Sequence, residues 1–68
     1  MKLVYYKDES PNEPFLVLDE DEENYILGLR DYPDVEQDEW TPKDDVVELV
    51  DGTKEYKKAL KIIKKRLE

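Results

Sequence analysis

Apolar residues along the chain fall into short runs separated by polar and turn-forming stretches. The run from Lys2 to Tyr6 is rich in β-branched and aromatic residues, which predicts a strand, and the proline-containing stretch 7–14 predicts a connecting loop. Two further apolar runs, Phe15 to Leu18 and Tyr25 to Leu29, flank an acidic segment and predict an antiparallel hairpin. Both runs are almost continuously apolar, so we expect their strands to be covered on both faces.

The C-terminal segment has the periodicity of an amphipathic helix over about residues 53–67. The turn Asp51-Gly52 precedes it, and Thr53 is the expected N-cap. Apolar residues at the spacing i, i+3, i+4, i+7 and i+11 form one stripe, which consists of Tyr56, Ala59, Leu60, Ile63 and Leu67. We expect this stripe to dock on the sheet. The opposite face carries lysines that crowd toward the C-terminus and complement the helix dipole, namely Lys57, Lys58, Lys61, Lys64 and Lys65.

Two more short extended runs, 39–42 and 46–50, lie between the hairpin and the helix. The segment 43–45 divides them and predicts a tight turn or a single helical turn. Gly28 lies inside a predicted strand, where it is expected to mark a bulge or sharp bend that lets a small sheet curl. The chain is therefore predicted to be a mainly β single domain over residues 1–68, in which about five short antiparallel strands form a small barrel and a helix follows.

Acidic and basic residues divide the chain into two parts. The net charge is −8, but residues 1–50 contain 16 acids and four bases, whereas residues 51–68 contain three acids and seven bases. The first part therefore carries −12 and the second +4. An acidic body of this kind repels phosphate and attracts basic partners.

The residue types present exclude several kinds of site. The chain has no cysteine and no histidine, which excludes disulfides and zinc, haem-thiolate or iron-sulfur sites, and no cofactor is expected. An enzyme is not favoured either, because the only serine, Ser10, lies in a proline-bordered loop and the two glycines are too far apart to form a phosphate cradle. No apolar run approaches the roughly 20 residues of a membrane span. We expect a soluble, cytoplasmic protein without a membrane partner.

Residues 15–50 resemble the later strands of a small SH3-like barrel of the Tudor type. The resemblance consists of a strand, an acidic turn, a strand running into the turn Arg30 to Asp34, a short strand, and a single turn leading into the final strand of "KDDVVELV". The stretch from Gly28 to Val50 also resembles the "ALYDY" and acidic-loop segment of signalling SH3 domains. That second placement requires three more strands after Val50, where only the helix remains, so we prefer the Tudor-type placement.

The Tudor-type resemblance implies a possible cage for a methylated lysine or arginine. Such domains hold the cation between aromatic ring faces by the cation-π effect. Carried over position by position, the cage aromatic after the third strand corresponds to Tyr32, and the polar residue two positions on corresponds to Asp34. The aromatic expected at the end of that strand corresponds to Leu29, which has no ring. The remaining walls correspond to Tyr5, Tyr6 or Phe15.

The segment 28–40, "GLRDYPDVEQDEW", concentrates the candidate binding chemistry. Trp40 is predicted to anchor the core or its edge, and Tyr25 and Tyr56 are predicted to lie in the core by periodicity. Tyr32 sits in a turn beside proline and between aspartates, where we expect it to be exposed and available for recognition. The predicted partner-binding residues are Tyr32, Asp31, Asp34, Glu36, Asp38 and Glu39.

A second acidic segment, Asp19 to Glu23, is predicted to be an exposed hairpin loop. It is not an EF-hand loop, because Asn24 occupies the position of the required glycine and Arg30 that of the bidentate glutamate. If the two acidic loops lie near each other, their carboxylates line one acidic face.

The leading functional prediction is a small non-catalytic protein-binding module that engages a basic or cationic protein segment through the acidic loops and Tyr32. The alternative is an acidic nucleic-acid mimic, such as a phage or mobile-element inhibitor of a DNA-binding protein. Direct nucleic-acid binding by the lysine side of the helix is a third reading, which the acidic body opposes. The oligomeric state is predicted to be a monomer or a weak homodimer.

Overall fold

The strands and the helix form where the apolar runs predict them. A computed structural model describes residues 1–68. All strand pairs are antiparallel, and the order across the sheet is β4-β3-β2-β1-β5. The prediction of a mainly β domain with five strands and a C-terminal helix is confirmed. The elements are β1 (Leu3–Tyr6), β2 (Phe15–Glu20), β3 (Asn24–Leu27), β4 (Thr41–Pro42), a 3-10 turn (Lys43–Asp45), β5 (Val46–Glu48) and α1 (Lys54–Leu67).

The predicted hairpin is formed by β2 and β3, but its irregularity lies in β2. Val17 is paired with Leu27 and Asp19 with Ile26, so the register shifts between Val17 and Asp19 as in a β-bulge. An extra residue of this kind bends a strand and increases its twist. This irregularity favours curling of the sheet, and it lies in β2, the strand opposite Gly28, rather than at Gly28 itself.

The two edge strands, β4 and β5, are consecutive in the chain and are joined only by the 3-10 turn. The sheet curls enough for side chains of non-adjacent strands to meet: the hydroxyl of Tyr6 in β1 lies 3.4 Å from that of Thr41 in β4. The Tyr25 hydroxyl in β3 lies 3.5 Å from the Glu48 carboxylate in β5. The strands β4 and β5 are not paired with each other, so the sheet is strongly curled but not closed into a barrel.

Apolar side chains pack on both faces of this sheet, because successive residues of a strand point in opposite directions. Leu3 and Val4 of β1 are both completely buried, but they belong to different clusters. Leu3 packs toward the helix in a cluster formed by Leu3, Leu49, Tyr56, Ala59 and Ile63. Val4 packs inside the curl in a cluster formed by Val4, Phe15, Tyr25, Leu27 and Val46. This arrangement explains the continuously apolar runs and confirms that Tyr25 and Tyr56 lie in the core.

The helix α1 begins as its sequence predicts. The Thr53 hydroxyl oxygen accepts a hydrogen bond from the Tyr56 backbone N–H at 3.2 Å and donates to the Val50 carbonyl at 2.7 Å, so Thr53 is the N-cap. The Tyr56 hydroxyl donates to the Met1 carbonyl at 2.7 Å, which ties the start of the chain to the helix. No helix in the structure combines the length and the apolar character needed to cross a membrane.

The prediction that Trp40 anchors the core or its edge is wrong, because the residue belongs to neither core cluster. Its neighbour Thr41 is buried, and Thr41 pairs with Tyr25 of β3. Because side chains alternate along a strand, the inward position of Thr41 directs Trp40 outward. The indole side chain is 48% exposed.

Candidate functional site

The loop between β3 and β4, residues 28–40, is held in a defined shape by backbone hydrogen bonds. The Leu29 N–H donates to the Val35 carbonyl at 2.8 Å, and the Val35 N–H donates to the Tyr32 carbonyl at 2.9 Å. The Gln37 N–H then donates to the Leu27 carbonyl at 2.9 Å. The loop therefore turns back on itself and runs beside the end of β3.

Gly28 and Pro33 fix the base of this loop by close backbone contact. Pro33 is fully buried. A Cβ atom on Gly28 would lie 1.9 Å from the Pro33 carbonyl oxygen, so only glycine fits here. The Gly28 carbonyl in turn accepts a hydrogen bond from the Gln37 side-chain amide at 3.0 Å. This contact, rather than a bulge, is the reason for glycine at position 28.

Residues of this loop line a groove of about 530 Å³. Two of its side chains, Leu29 and Val35, are apolar and 39% and 47% exposed. Leu29 is predicted to end a strand, but β3 stops at Leu27, which releases Leu29 to the surface. We call this feature the acidic groove, and its lining consists of Leu29, Val35, Glu36, Gln37, Asp38 and Glu39.

The acidic groove contains half of the predicted site residues. Glu36, Asp38 and Glu39 line it. Tyr32 lies in the turn before the groove, with Asp31 and Asp34 on either side of the Tyr32-Pro33 pair, and all three side chains are exposed. Tyr32 is 64% exposed, as predicted.

Trp40 directly follows the last groove residue and is a candidate contact that the sequence prediction assigned to the core. The sequence has no signal for this exposure, because a strand of two residues is too short for alternation to show whether Thr41 or Trp40 faces inward.

The carboxylates of this loop have no ion-pair partner within the molecule. None of the five loop carboxylates takes part in a salt bridge; these residues are Asp31, Asp34, Glu36, Asp38 and Glu39. The one base in the loop, Arg30, points elsewhere and pairs with Glu9 at 3.6 Å and Glu13 at 3.4 Å. Its charge therefore does not neutralise the groove.

The start of the loop is also connected to the end of the helix. Arg66 donates from Nη1 to the Arg30 carbonyl at 3.3 Å, and its Nη2 lies 3.7 Å from Glu13 Oε2. That oxygen is buried and has no hydrogen bond in the protein, but it lies between the Arg30 and Arg66 guanidinium groups. The helix end, the β1–β2 loop and the candidate loop are thus joined by one charged network.

The hairpin carboxylates do not extend the acidic groove. They precede β3, whereas the groove follows its end, and none of them lines it. Several have partners of their own: Glu20 accepts a hydrogen bond from Lys2 at 2.8 Å and lies 3.7 Å from Lys43. Asp21 accepts hydrogen bonds from two backbone N–H groups of the turn, which hold the pKa of its carboxyl below the ordinary value. Glu20 and Asp21 therefore use their carboxylates in contacts within the protein.

The aromatic residues predicted as possible cage walls are not assembled around Tyr32. Phe15 is buried in the core, and Tyr6 packs edge-on against it with ring centroids 5.3 Å apart. Tyr5 packs against the cluster under the helix. No other ring stacks on Tyr32, so the site is an acidic groove with exposed aromatic residues nearby, rather than a closed cage.

The Glu20 ion pair predicts a specific pH dependence of stability. The hydrogen bond from Lys2 holds the pKa of Glu20 below its ordinary value of 4.5. A carboxyl whose pKa is lowered by folding stabilises the protein above the ordinary value, and that contribution is lost as the pH falls through the lowered pKa. We expect Glu20→Gln to be less stable than the wild type at neutral pH and to show no such difference once Glu20 is protonated.

Urea unfolding at neutral and acidic pH measures this difference. Glu22→Gln is the matched control, because Glu22 lies in the same hairpin and forms no ion pair. A stability loss in Glu20→Gln that persists unchanged at acidic pH would contradict the assignment.

Comparisons of the chain with protein-family models, curated proteins and solved structures gave no match. Neither a family nor an activity therefore comes from a relative. The Tudor-type resemblance of residues 15–50 stays a prediction, and any function has to follow from the groove and its surroundings.

Proposed function

We propose that the protein is a small non-catalytic binding module of SH3-like architecture that engages a basic segment of a partner protein. The acidic groove and Tyr32 form the proposed contact surface. The observation that carries this proposal is the combination of unpaired carboxylates and two exposed apolar side chains in one groove.

The groove suits the two chemical parts of a lysine or arginine side chain. Their long aliphatic stems pack on apolar surface while the charged end seeks water or a counter-charge. Leu29 and Val35 offer the apolar contact, and carboxylates such as Glu36 and Asp38 offer the counter-charge. Unpaired acidic residues also increase the rate of encounter with a basic partner.

The exposed rings add contact area that the groove alone lacks. Tyr32 and Trp40 lie in the same loop as the groove and are 64% and 48% exposed. Aromatic rings attract cations through their faces and contribute strongly to the centres of binding surfaces.

The loop is also held in one shape before any partner arrives. The close contact between Gly28 and Pro33 and the hydrogen bond from Gln37 restrict its backbone. A restricted surface loses less conformational entropy on binding, which increases affinity.

Titration with a lysine-rich peptide tests the proposal. Trp40 is the only tryptophan in the chain, so its fluorescence reports events beside the groove without a label. The triple variant Glu36→Gln, Asp38→Asn, Glu39→Gln is expected to bind the peptide at least about tenfold more weakly, which corresponds to roughly 1.4 kcal/mol. Tyr32→Ala is expected to weaken binding as well, because the exposed ring is lost.

The matched control removes the same charge elsewhere. Asp8→Asn, Glu22→Gln, Glu23→Gln also raises the net charge by three, but these residues lie outside the groove and form no salt bridge. This variant is expected to bind the peptide nearly as well as the wild type. Equal losses of peptide affinity in both triple variants, or no loss of affinity in the groove variant, would show that the groove is not the binding site.

The alternative function, a nucleic-acid mimic, predicts a different result. Mimicry of phosphates needs carboxylates alone, whereas this groove also exposes Leu29 and Val35. A mimic would compete with DNA for a folded DNA-binding protein and would not bind an isolated peptide. That pattern would favour the mimic over the peptide-binding module.

A further inference from the structure

The helix carries a second charged surface that the proposed function does not use. Six lysines of α1 are exposed, and at 100° per residue the five that follow Lys54 fall within an arc of about 120°. The buried side chains of Tyr56, Ala59 and Ile63 lie on the opposite side of the helix. We call this surface the lysine face, and it consists of Lys57, Lys58, Lys61, Lys64 and Lys65.

The lysines of this face form no salt bridge within the molecule. The bases that do form salt bridges are Lys2, Arg30, Lys43 and Arg66. None of the five lysines is among them, and none of the loop carboxylates is paired either. One chain thus displays an unpaired cationic surface and an unpaired anionic groove that do not meet each other.

We propose that the protein associates with itself head to tail, with the lysine face of one copy bound in the acidic groove of the next. This proposal rests on the proposed function, because it uses the same groove and names a second copy of the chain as a ligand. The lysine stems contact Leu29 and Val35, and the ammonium groups reach the carboxylates of Glu36, Asp38 and Glu39.

The net charge of −8 does not prevent this contact at physiological salt. The molecule measures 26 × 23 × 20 Å, whereas the screening length is about 8 Å at physiological ionic strength. Charges on the far side of the molecule are therefore largely screened, and the two facing surfaces determine the interaction. They have opposite signs.

The geometry of such a contact also determines how assembly proceeds. The two surfaces are different parts of the molecule, so the interface is heterologous and each bound copy keeps one free groove or one free lysine face. Association does not have to stop at a dimer. A charge-dominated contact between one helix face and one groove is expected to be weak and reversible.

Sedimentation equilibrium on two half-blocked variants tests the proposal. The first variant, Lys57→Glu, Lys61→Glu, Lys64→Glu, keeps only the groove. The second, Glu36→Gln, Asp38→Asn, Glu39→Gln, keeps only the lysine face. Each alone is expected to remain a monomer, whereas their equimolar mixture is expected to form a one-to-one complex that cannot grow further.

The wild type and a matched variant complete the experiment. The average mass of the wild type is expected to rise with concentration at about 0.1 M salt and to return to that of the monomer at about 1 M, where the screening length falls to roughly 3 Å. The control Asp8→Asn, Glu22→Gln, Glu23→Gln has the same net charge as the groove variant and is expected to associate at least as strongly as the wild type.

A wild type that stays monomeric at every concentration, or half-blocked variants that fail to combine, would overturn the proposal. The lysine-rich peptide separates this failure from that of the proposed function. If the peptide binds the groove but copies of the chain do not associate, only the self-association is wrong. If neither is observed, the proposed function fails as well.

Discussion

Replacement of Gly28 by alanine is expected to destabilise the protein by about 3 kcal/mol, as overpacking against a rigid neighbour does at its upper range. The added Cβ would lie 1.9 Å from the Pro33 carbonyl oxygen and 2.9 Å from its Cα, and both are backbone atoms that cannot rotate away. A chain of 68 residues has a total stability of roughly 3–10 kcal/mol. The substitution is therefore expected to remove between about a third and all of the stability, or to displace the candidate loop.

Urea unfolding followed by circular dichroism and by Trp40 fluorescence distinguishes these two results, because displacement of the loop alone changes only the fluorescence. Gly52→Ala is the matched control. Gly52 has a φ of +89° but no atom within 4 Å of an added Cβ. Gly52→Ala is therefore expected to lower stability only through the strain of a positive φ, by about 1 kcal/mol. Equal effects of the two substitutions would contradict the close contact described for Gly28.

Replacement of Ile63 by alanine is expected to reduce the free energy of unfolding by about 3 kcal/mol, as for other buried isoleucines. Ile63 is 1% exposed and lies in the cluster that joins the helix to β1. Its removal leaves a cavity in the cluster through which the helix packs on the sheet. For a domain of this size, the melting temperature is expected to fall by roughly 12–24 °C.

The neighbouring isoleucine provides the control for this substitution. Ile62 has the same side chain in the same helix but is only half-buried and belongs to neither core cluster. Ile62→Ala is expected to lower stability by under about 1 kcal/mol, because less apolar surface leaves water on folding at that position. Similar melting temperatures for the two variants would mean that the helix docks through a different face.

The periodicity of the sequence predicts the strands and the helix, but it does not predict where the short strands begin and end. The helix has 14 residues, so its stripe and its N-cap were recognisable. The strand β4 has only two residues, which is too short for alternation to show which side chain faces inward. The sequence therefore predicts Trp40 in the core, whereas the inward position belongs to Thr41. The same difficulty placed Leu29 in a strand that ends at Leu27.

The candidate site was predictable in composition but not in shape. The exposure of Tyr32 follows from its turn residues, and the acidic character of the loop can be read directly. The groove exists because Gly28 leaves room for the Pro33 backbone and because the Gln37 N–H donates a hydrogen bond to the Leu27 carbonyl of β3. These are contacts between residues five or more positions apart that no local pattern encodes. The pairing of Glu20 with Lys2, which separates the hairpin acids from the groove, is likewise non-local.

The edges of the sheet limit how copies of this protein can combine. The edge strands β4 and β5 have two and three residues, and Pro42 in β4 has no N–H to offer to an added strand. Such short, interrupted edges are poor templates for the strand-to-strand pairing that leads to aggregation. Any contact between copies is therefore expected to be made by side chains, and where those side chains are charged, high salt is expected to dissociate the assembly.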